Sequence, residues 1–295
     1  MNAIATAPVR PVLVRELVSL TKPRITTLNL IATAAGFGLA RSGGSASGFL
    51  TTLLGTALVV GAANSLNCWL ERDLDRRMAR TRNRPLPAGR LSPQVALAFG
   101  LALAAVGVPL LTFGVNPLAG LLATAALVAY VLVYTPLKQH TSAALLIGAL
   151  PGAAPPLIGW AAATGKIELP GLMLFALLFL WQVPHFLAIT LYRLEEYAAA
   201  GFKVLAITRG EKAARRELVV YLAATVATSF LLVPTVAAHA IYLGAAVVLG
   251  VAVMAKGLKG LGRDAGKKWA RSFFMSTNLY LTLLMGALML DRFLG

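Results

Sequence analysis

The segment that decides the fold is residues 49–75, which reads FLTTLLGTALVVGAANSLNCWLERDLD. Its first 22 residues, 49–70, carry no charged side chain, whereas four of its last five residues are charged. An α-helix needs about 20 mainly apolar residues to cross the hydrocarbon core of a bilayer. The segment therefore predicts a transmembrane helix that ends in a cluster of acidic side chains at the membrane surface.

The rest of the chain repeats this alternation of apolar spans and charged loops. Apolar residues make up 58 % of the 295 residues and charged residues only 13 %, against about 25 % charged in a soluble domain. This composition predicts an all-α polytopic membrane protein in a single domain, 1–295, whose residues 1–23 form a cytoplasmic interfacial segment. We predict nine transmembrane helices, at 25–41, 49–70, 94–113, 117–135, 142–161, 169–191, 217–236, 239–255 and 273–291.

The positions of the basic residues predict the orientation of these spans. Of the 27 lysines and arginines, 24 fall in loops on one side and only Arg41, Lys166 and Arg292 fall on the other. Because basic residues are retained on the cytoplasmic side, the N-terminus is predicted to be cytoplasmic and the C-terminus outside, in the cell inner membrane. The net charge of +16 is thus explained by topology, and no nucleic-acid partner is predicted.

A candidate metal site lies at the end of the second span. Asn67, Glu71 and Asp75 are spaced four residues apart and share one face of a helix, whereas Asp73 points away. Carboxylate and amide oxygens are the ligands that Mg²⁺ prefers in proteins. The alternative is a solvated helix end whose carboxylates pair with Arg72 and Arg76.

Two further features favour a diphosphate site over that alternative. The loop after the first acidic cluster carries Arg80 and Arg84, and arginine forks match phosphate oxygens. A second, weaker cluster with Glu196 closes the sixth span, four helices further on. This repetition predicts two four-helix modules plus a ninth helix around a central cavity, with the two acidic clusters facing each other.

Several motifs resemble the UbiA-type intramembrane prenyltransferases. They are residues 67–75 (NCWLERDLD) followed by 80–87 (RTRNRPLP), with 20–24 (LTKPR), Tyr134-Thr135 and Lys138, 155–160 (PPLIGW) and 181–186 (WQVPHF). The resemblance covers residues 20 to about 210. The run at 181–186 favours the protoheme IX farnesyltransferase (heme O synthase) branch over the quinone-type branches.

This resemblance implies an activity: farnesyl transfer from farnesyl diphosphate to a vinyl group of protoheme IX (heme B), giving heme O for heme-copper oxidase biogenesis. The implied partners are farnesyl diphosphate, heme B, the lipid bilayer and a downstream heme-modifying enzyme. By motif matching, the catalytic and Mg²⁺-binding residues are Asn67, Glu71, Asp75 and Glu196. The implied substrate-binding residues are Arg80, Arg84, Lys138, His185, Arg193, Tyr197 and Lys203.

The second motif departs from the family pattern at two positions. Glu196 stands where the family usually has aspartate, and Lys203 stands where it has proline. A glutamate can still coordinate a metal ion, but the lysine leaves the geometry of this loop open.

His185 is the one histidine predicted to lie inside a span close to an acidic cluster. Ionisable groups within a membrane are functional candidates by default, and an imidazole can ligate heme iron or bind a propionate. The alternative is a histidine hydrogen-bonded to a neighbouring helix.

Three other functions were weighed against prenyl transfer to heme. A sister enzyme with an aromatic acceptor such as 4-hydroxybenzoate would share the carboxylates but would not need His185. A transporter places charged groups at the bilayer midplane, whereas both acidic clusters here fall at helix ends. A channel requires a polar face through the whole membrane, which the spans lack.

The fifth predicted span is rich in proline and glycine. Pro151, Pro155 and Pro156 remove backbone donors and predict a bend. Such a helix either faces a cavity or is bent for packing alone.

Overall fold

The computed structural model describes residues 9–40, 45–236, 239–262 and 265–294. Within these four ranges every regular element is helical, and none is a strand, as the all-α prediction requires. Arg41 and Arg263, which entered the charge count, and the C-terminal Gly295 lie outside the described residues.

Helices of three to 28 residues account for most of the described chain. They are α1 (Val9–Leu20), α2 (Pro23–Leu39), α3 (Ala46–Leu70), α4 (Arg72–Asp75), α5 (Pro93–Gly114), α6 (Pro117–Val128), α7 (Thr135–Leu137), α8 (Ala144–Thr164), α9 (Leu169–Tyr192), α10 (Leu194–Ala199), α11 (Leu205–Thr208), α12 (Glu211–Thr235), α13 (Ala240–Leu258) and α14 (Lys267–Leu294). A π-helical turn, Ala129–Tyr134, joins α6 to α7.

The protein is a multi-pass membrane protein. In the described part of the chain, eight helices are long and apolar enough to cross a bilayer, close to the nine that were predicted. The remaining predicted span is α2, which has 17 residues. At 1.5 Å per residue it is about 25 Å long, somewhat shorter than the roughly 30 Å hydrocarbon core.

Consecutive spans pack side by side, in keeping with the short loops between them. In chain order, α3 contacts α5, α5 contacts α6, and α8 contacts α9; the last helix, α14, packs on α9 and α13. The strongest link between the first and second halves of the chain is the contact of α2 with α8.

The proline-rich helix α8 lies at the centre of this packing. It runs without interruption through all three prolines, and it is the most buried of the membrane-crossing helices. A Cβ added to Gly159 would lie 2.0 Å from the Thr33 carbonyl oxygen, and one added to Gly36 would lie 2.0 Å from that of Pro156. Gly36 of α2 and Gly159 of α8 therefore permit the close packing of these two helices.

The amino-terminal helix α1 packs on the start of the bundle through its last turn. Leu20 is fully buried against Cys68, Leu86 and Leu91, whereas Val14 remains exposed. This packing holds the junction between α1 and α2 beside the end of α3.

Candidate active site

The first acidic cluster lies where α3 gives way to α4. The helix is interrupted at Glu71 (φ −91°, ψ 5°), but the Glu71 amide still bonds to Asn67 O and the Asp75 amide to Glu71 O. The helical phase is therefore preserved. Asn67, Glu71 and Asp75 are all at most 7 % exposed, whereas the Asp73 side chain is 64 % exposed and pairs with Arg76.

Each buried carboxylate of this cluster has a cationic partner. Asp75 Oδ2 lies 2.7 Å from Arg84 Nη1, and Glu71 Oε1 pairs with Lys138 Nζ. Charged groups away from water require such pairing. The loop arginine and the lysine after α7 are thus brought to the carboxylates, as expected for a site that binds both a metal ion and a phosphate group.

Asn67 connects these groups through its side-chain amide. Its Nδ2 donates to Glu71 Oε2 at 2.9 Å and to Thr135 Oγ1 at 3.1 Å. Its Oδ1 accepts from Lys22 Nζ at 2.8 Å. Asn67 therefore links three segments of the chain at the site.

Lys22 is a member of the site to which the sequence assigned no role. It is the only non-glycine residue with positive φ in the described chain (φ 51°), and such backbone conformations are costly and concentrate at functional sites. It has no carboxylate partner among the described residues. Burial lowers the pKa of its ammonium group below the usual lysine range.

The π-helical turn supplies two tyrosines beside Lys138. The Tyr130 and Tyr134 rings are 5.4 Å apart, and Lys138 Nζ lies 4.7 Å from the Tyr134 ring centroid, a cation–π contact. Single π turns are frequent at functional sites. In the sequence, Tyr130, Tyr134 and Lys138 are spaced four residues apart in an otherwise aliphatic stretch. This spacing is the signal that could have identified the two tyrosines.

The second acidic cluster spans the end of α9 and the start of α10. Glu196 Oε1 accepts from Arg193 Nη1 at 2.8 Å, and the Arg193 guanidinium lies 5.2 Å from the Tyr192 ring. Glu196 Oε2 is buried and has no hydrogen-bond partner among the described residues. A buried oxygen without a partner is costly, which fits a position kept for a cation.

The two acidic clusters are held together by an apolar contact between their loops. Met78, which follows the first cluster, is buried against Ala200 and Phe202, with Leu74 and Tyr197 packed around them. Burial raises the pKa of Tyr197, while the charge of nearby Arg80 acts in the opposite direction. The segments that follow the two acidic clusters are therefore in contact with each other.

A glycine shapes the atypical second motif. Gly201 has φ +77°, a left-handed conformation that ends α10 and turns Phe202 inward. Lys203, at the position of the family's proline, is exposed on the other side of this turn.

Not every predicted site residue joins the cluster. Arg80 and Lys203 are exposed on the loops. His185 lies between α9 and α14, where its Nδ1 is 2.9 Å from Thr277 Oγ1 and its ring stacks on Trp181 at 4.5 Å. It makes no direct contact with either acidic cluster.

The donor set suits a hard divalent cation even though its members are held apart. Across the described ranges, no three histidine, cysteine, aspartate or glutamate side chains converge as a metal cluster, because each carboxylate faces its own cation. The donors are carboxylate and amide oxygens, the chemistry that Mg²⁺ prefers, and Glu196 Oε2 is unpartnered. The residues present therefore fit a magnesium–diphosphate group.

Comparison with known proteins defines the class to which this fold and site belong. The model of the UbiA prenyltransferase family matches residues 29–279, and the chain belongs to that family; it is a membrane-embedded prenyltransferase. It is 49 % identical over 292 residues to the protoheme IX farnesyltransferase of Myxococcus xanthus (strain DK1622), covering 99 % of each chain. It is 55 % identical over 238 residues to that of Sorangium cellulosum (strain So ce56), covering 81 % of this chain and 85 % of that protein.

Solved structures share the fold at low sequence identity. A structure described in a study of digeranylgeranylglyceryl phosphate synthase matches with a TM-score of 0.81 at 18 % identity, covering 94 % of this chain and 98 % of that one. A UbiA homolog from Archaeoglobus fulgidus bound to GPP and Mg²⁺ matches with a TM-score of 0.66 at 18 % identity, covering 92 % and 99 %. The transporter hypothesis is wrong, since the chain is a prenyltransferase.

Proposed function

We propose that this protein transfers the farnesyl group of farnesyl diphosphate to a vinyl group of protoheme IX (heme B), giving heme O for heme-copper oxidase biogenesis. Relatives that are 49 % and 55 % identical, over 99 % and 81 % of this chain, are named protoheme IX farnesyltransferase. The observation in the site that supports it is a ring of charges: Arg84 and Lys138 pair with the buried carboxylates of Asp75 and Glu71, and Lys22 is hydrogen-bonded to Asn67 beside them.

The excess of cations over carboxylates in this ring suits an anionic ligand. Lys22 has no carboxylate partner in the described chain, so its ammonium charge is available to a diphosphate oxygen. Arg84 and Lys138 lie against carboxylates that a divalent cation would engage, which leaves both cations free to contact phosphate. We assign Arg80, Arg193, Tyr197 and Lys203 to the outer part of the diphosphate site.

The carboxylates take the metal role in this proposal. Glu71, Asp75 and Glu196, with the Asn67 amide oxygen, would hold Mg²⁺. A bound ion would supply positive charge to stabilise the diphosphate leaving group. Asn67 also positions Glu71, because its amide donates to Glu71 Oε2.

Chain residues also exclude water from the allylic carbon. The half-buried Tyr130 and Tyr134 rings line the site beside Lys138. An aromatic face attracts a cation, so these rings suit a farnesyl cation that has lost its diphosphate. This contact disfavours premature capture by water.

The membrane setting completes the proposal. We place the protein in the cell inner membrane with its N-terminus in the cytoplasm and its C-terminus outside, on the basis of the distribution of basic residues. Heme O is apolar enough to leave through the bilayer, and a downstream heme-modifying enzyme is the proposed recipient.

A product assay tests the proposal directly. Purified protein in lipid nanodiscs is incubated with farnesyl diphosphate, Mg²⁺ and heme B, and the product is identified by mass. We expect the mass of heme B in which one vinyl group has gained a farnesyl group and the hydroxyl of a water molecule, with diphosphate released, and no such product when Mg²⁺ is chelated. Parallel reactions with 4-hydroxybenzoate test the aromatic-acceptor alternative; prenylation of that compound but not of heme would contradict the proposal.

A further inference from the structure

The contact between His185 and the last helix fixes the chemical state of the histidine. Thr277 is fully buried, and its hydroxyl donates to the Phe274 carbonyl at 2.8 Å. A hydroxyl has one proton and a carbonyl oxygen can only accept. Both contacts are satisfied only if Thr277 Oγ1 accepts from His185 Nδ1, 2.9 Å away. The imidazole is then protonated on Nδ1.

This tautomer leaves the lone pair of Nε2 unused. No hydrogen bond to Nε2 is formed by any residue in the described ranges, and Nε2 is not among the buried polar atoms that lack a partner. It therefore retains some accessible surface. A neutral imidazole whose other nitrogen donates to a fixed acceptor is the usual arrangement of a metal-ligating histidine.

The surroundings of His185 are aromatic. Its ring stacks between Trp181 and Phe274, with centroids at 4.5 Å on each side, and the Trp181 indole donates to Thr277 O at 2.8 Å. Phe274 also contacts Tyr192, with ring centroids 5.8 Å apart. A half-buried aromatic surface thus runs along α9 and α14.

That surface leads from His185 to the second acidic cluster. His185 and Tyr192 are seven residues apart, nearly two full turns, so they share a face of α9 about 10 Å apart. Tyr192 lies under the Arg193 guanidinium, which pairs with Glu196. A porphyrin held at His185 would extend its edge toward the end of the site where the diphosphate is proposed to leave.

We propose that His185 Nε2 ligates the iron of the porphyrin acceptor, and that Thr277 is the positioning residue that fixes the tautomer required for it. This inference rests on the proposed function, because it assumes that the acceptor is heme B. It adds to that function an axial ligand and an acceptor surface between α9 and α14.

Heme-binding spectroscopy tests the inference without any farnesyl transfer. Full-length protein in nanodiscs is titrated with ferric heme B in the absence of farnesyl diphosphate, and absorption and electron paramagnetic resonance spectra are recorded. The wild type is expected to show a histidine-ligated heme. His185→Ala is expected to lose this signature and to regain it when imidazole is added.

Substitutions at Thr277 separate positioning from folding. Thr277→Val removes the acceptor for Nδ1 and is expected to weaken heme binding at least about 10-fold, the usual effect of losing the partner of a ligating histidine. Thr277→Ser keeps the hydroxyl and is expected to bind like the wild type. Thr225→Val is the matched control, since that buried hydroxyl bonds only to the Tyr221 carbonyl of its own helix.

The outcomes distinguish this inference from the proposed function. An unchanged spectrum in His185→Ala, or equal heme affinity in Thr277→Val and the wild type, would overturn the inference. If His185→Ala does not fold, the contrast between the valine and serine variants of Thr277 decides. If the wild type farnesylates heme and the variant spectra are unchanged, only the role of His185 is overturned. If the wild type does not farnesylate heme, the proposed function is overturned.

Discussion

The Nζ atom of Lys22 lies 2.8 Å from the Oδ1 atom of Asn67, so the residue before α2 is tied to the last turn of α3. The same asparagine donates to Glu71, which pairs with Lys138. Three segments of the chain thus share one network of charges and hydrogen bonds.

Substitution of the buried carboxylates of the first cluster should reduce turnover far more than substitution of their exposed neighbour. Asp75→Asn and Glu71→Gln are each expected to reduce Mg²⁺-dependent turnover by at least about 100-fold, because stabilising charge on a leaving group is commonly worth about 3 kcal/mol or more. Asp73→Asn is the matched control. Its surface pair with Arg76 is worth only about 0–1 kcal/mol, so its turnover should stay within a few-fold of the wild type.

Partial rescue of the two buried variants by higher Mg²⁺ would identify the defect as one of metal binding. Equal losses at all three positions would contradict the assignment of Glu71 and Asp75. So would near-normal turnover in both buried variants.

The second cluster offers an adjacent pair for the same comparison. Glu196→Gln is expected to lower turnover by an order of magnitude or more, since its buried Oε2 is free of protein partners in the described chain. Glu195→Gln removes only a surface pair with Lys267 and is expected to leave turnover unchanged. Steady-state kinetics of both variants over a range of Mg²⁺ concentrations checks this. Equal behaviour of the two would show that α10 supplies no metal ligand.

Loss of the Lys22 proton should reduce the activity of the enzyme at alkaline pH. Burial lowers the pKa of this group, so it loses its proton at a lower pH than an ordinary lysine. Below that pKa the ammonium attracts diphosphate; as pH rises through it, kcat/KM for farnesyl diphosphate should fall, because this parameter reports the free enzyme.

Lys22→Arg should shift this fall in kcat/KM to higher pH, because arginine stays protonated. Lys212→Arg, at an exposed position on α12, is the control and should leave the pH of the fall unchanged. A fall at the same pH in the wild type and Lys22→Arg would assign it to another group.

A substitution that disturbs the close approach of α2 and α8 should lower the thermal stability of the protein. Gly159→Ala places a Cβ 2.0 Å from the Thr33 carbonyl oxygen, and overpacking of this kind costs about 1–3 kcal/mol. Gly286→Ala is the control, because no atom lies within 4 Å of the added Cβ and alanine favours the helix by up to about 1 kcal/mol. Thermal unfolding in detergent should show a lower Tm for the first variant only.

The orientation of the chain can be tested with reporter fusions. A reporter fused after Lys166 should be located outside the cell membrane, and one fused near Arg82 should be located in the cytoplasm. A reporter fused at Gly295 should be located outside. A cytoplasmic signal at Gly295 together with the expected signals at the other two sites would mean that the number of spans after Lys166 is odd, where four were predicted.

The sequence predicted much of this architecture because hydropathy and helical phase are local properties. The phase of Asn67, Glu71 and Asp75 indicated which carboxylates are buried, since backbone bonds preserve the register even where α3 is interrupted. The last helix contains the predicted span 273–291 and extends beyond it at both ends, to Lys267–Leu294. Charged residues there continue the helix beyond the apolar core, and hydropathy does not detect them.

The rest of the site depends on contacts between distant parts of the chain. Lys22 and Asn67 are 45 residues apart, and the left-handed backbone of Lys22 has no local sequence signature. His185 and Thr277 are 92 residues apart. No periodicity in the sequence could reveal that a threonine of the last helix sets the protonation of a histidine in α9.

The ion pairs of the site also determine how its ligands influence one another. While Lys138 neutralises Glu71, neither group offers its full charge to an incoming partner. An anion that draws Lys138 away leaves Glu71 more attractive to a divalent cation, and a cation at Glu71 releases Lys138 in the same way. Because such coupling is reciprocal, each ligand must raise the affinity for the other, and the protein discriminates against free diphosphate in favour of its metal complex.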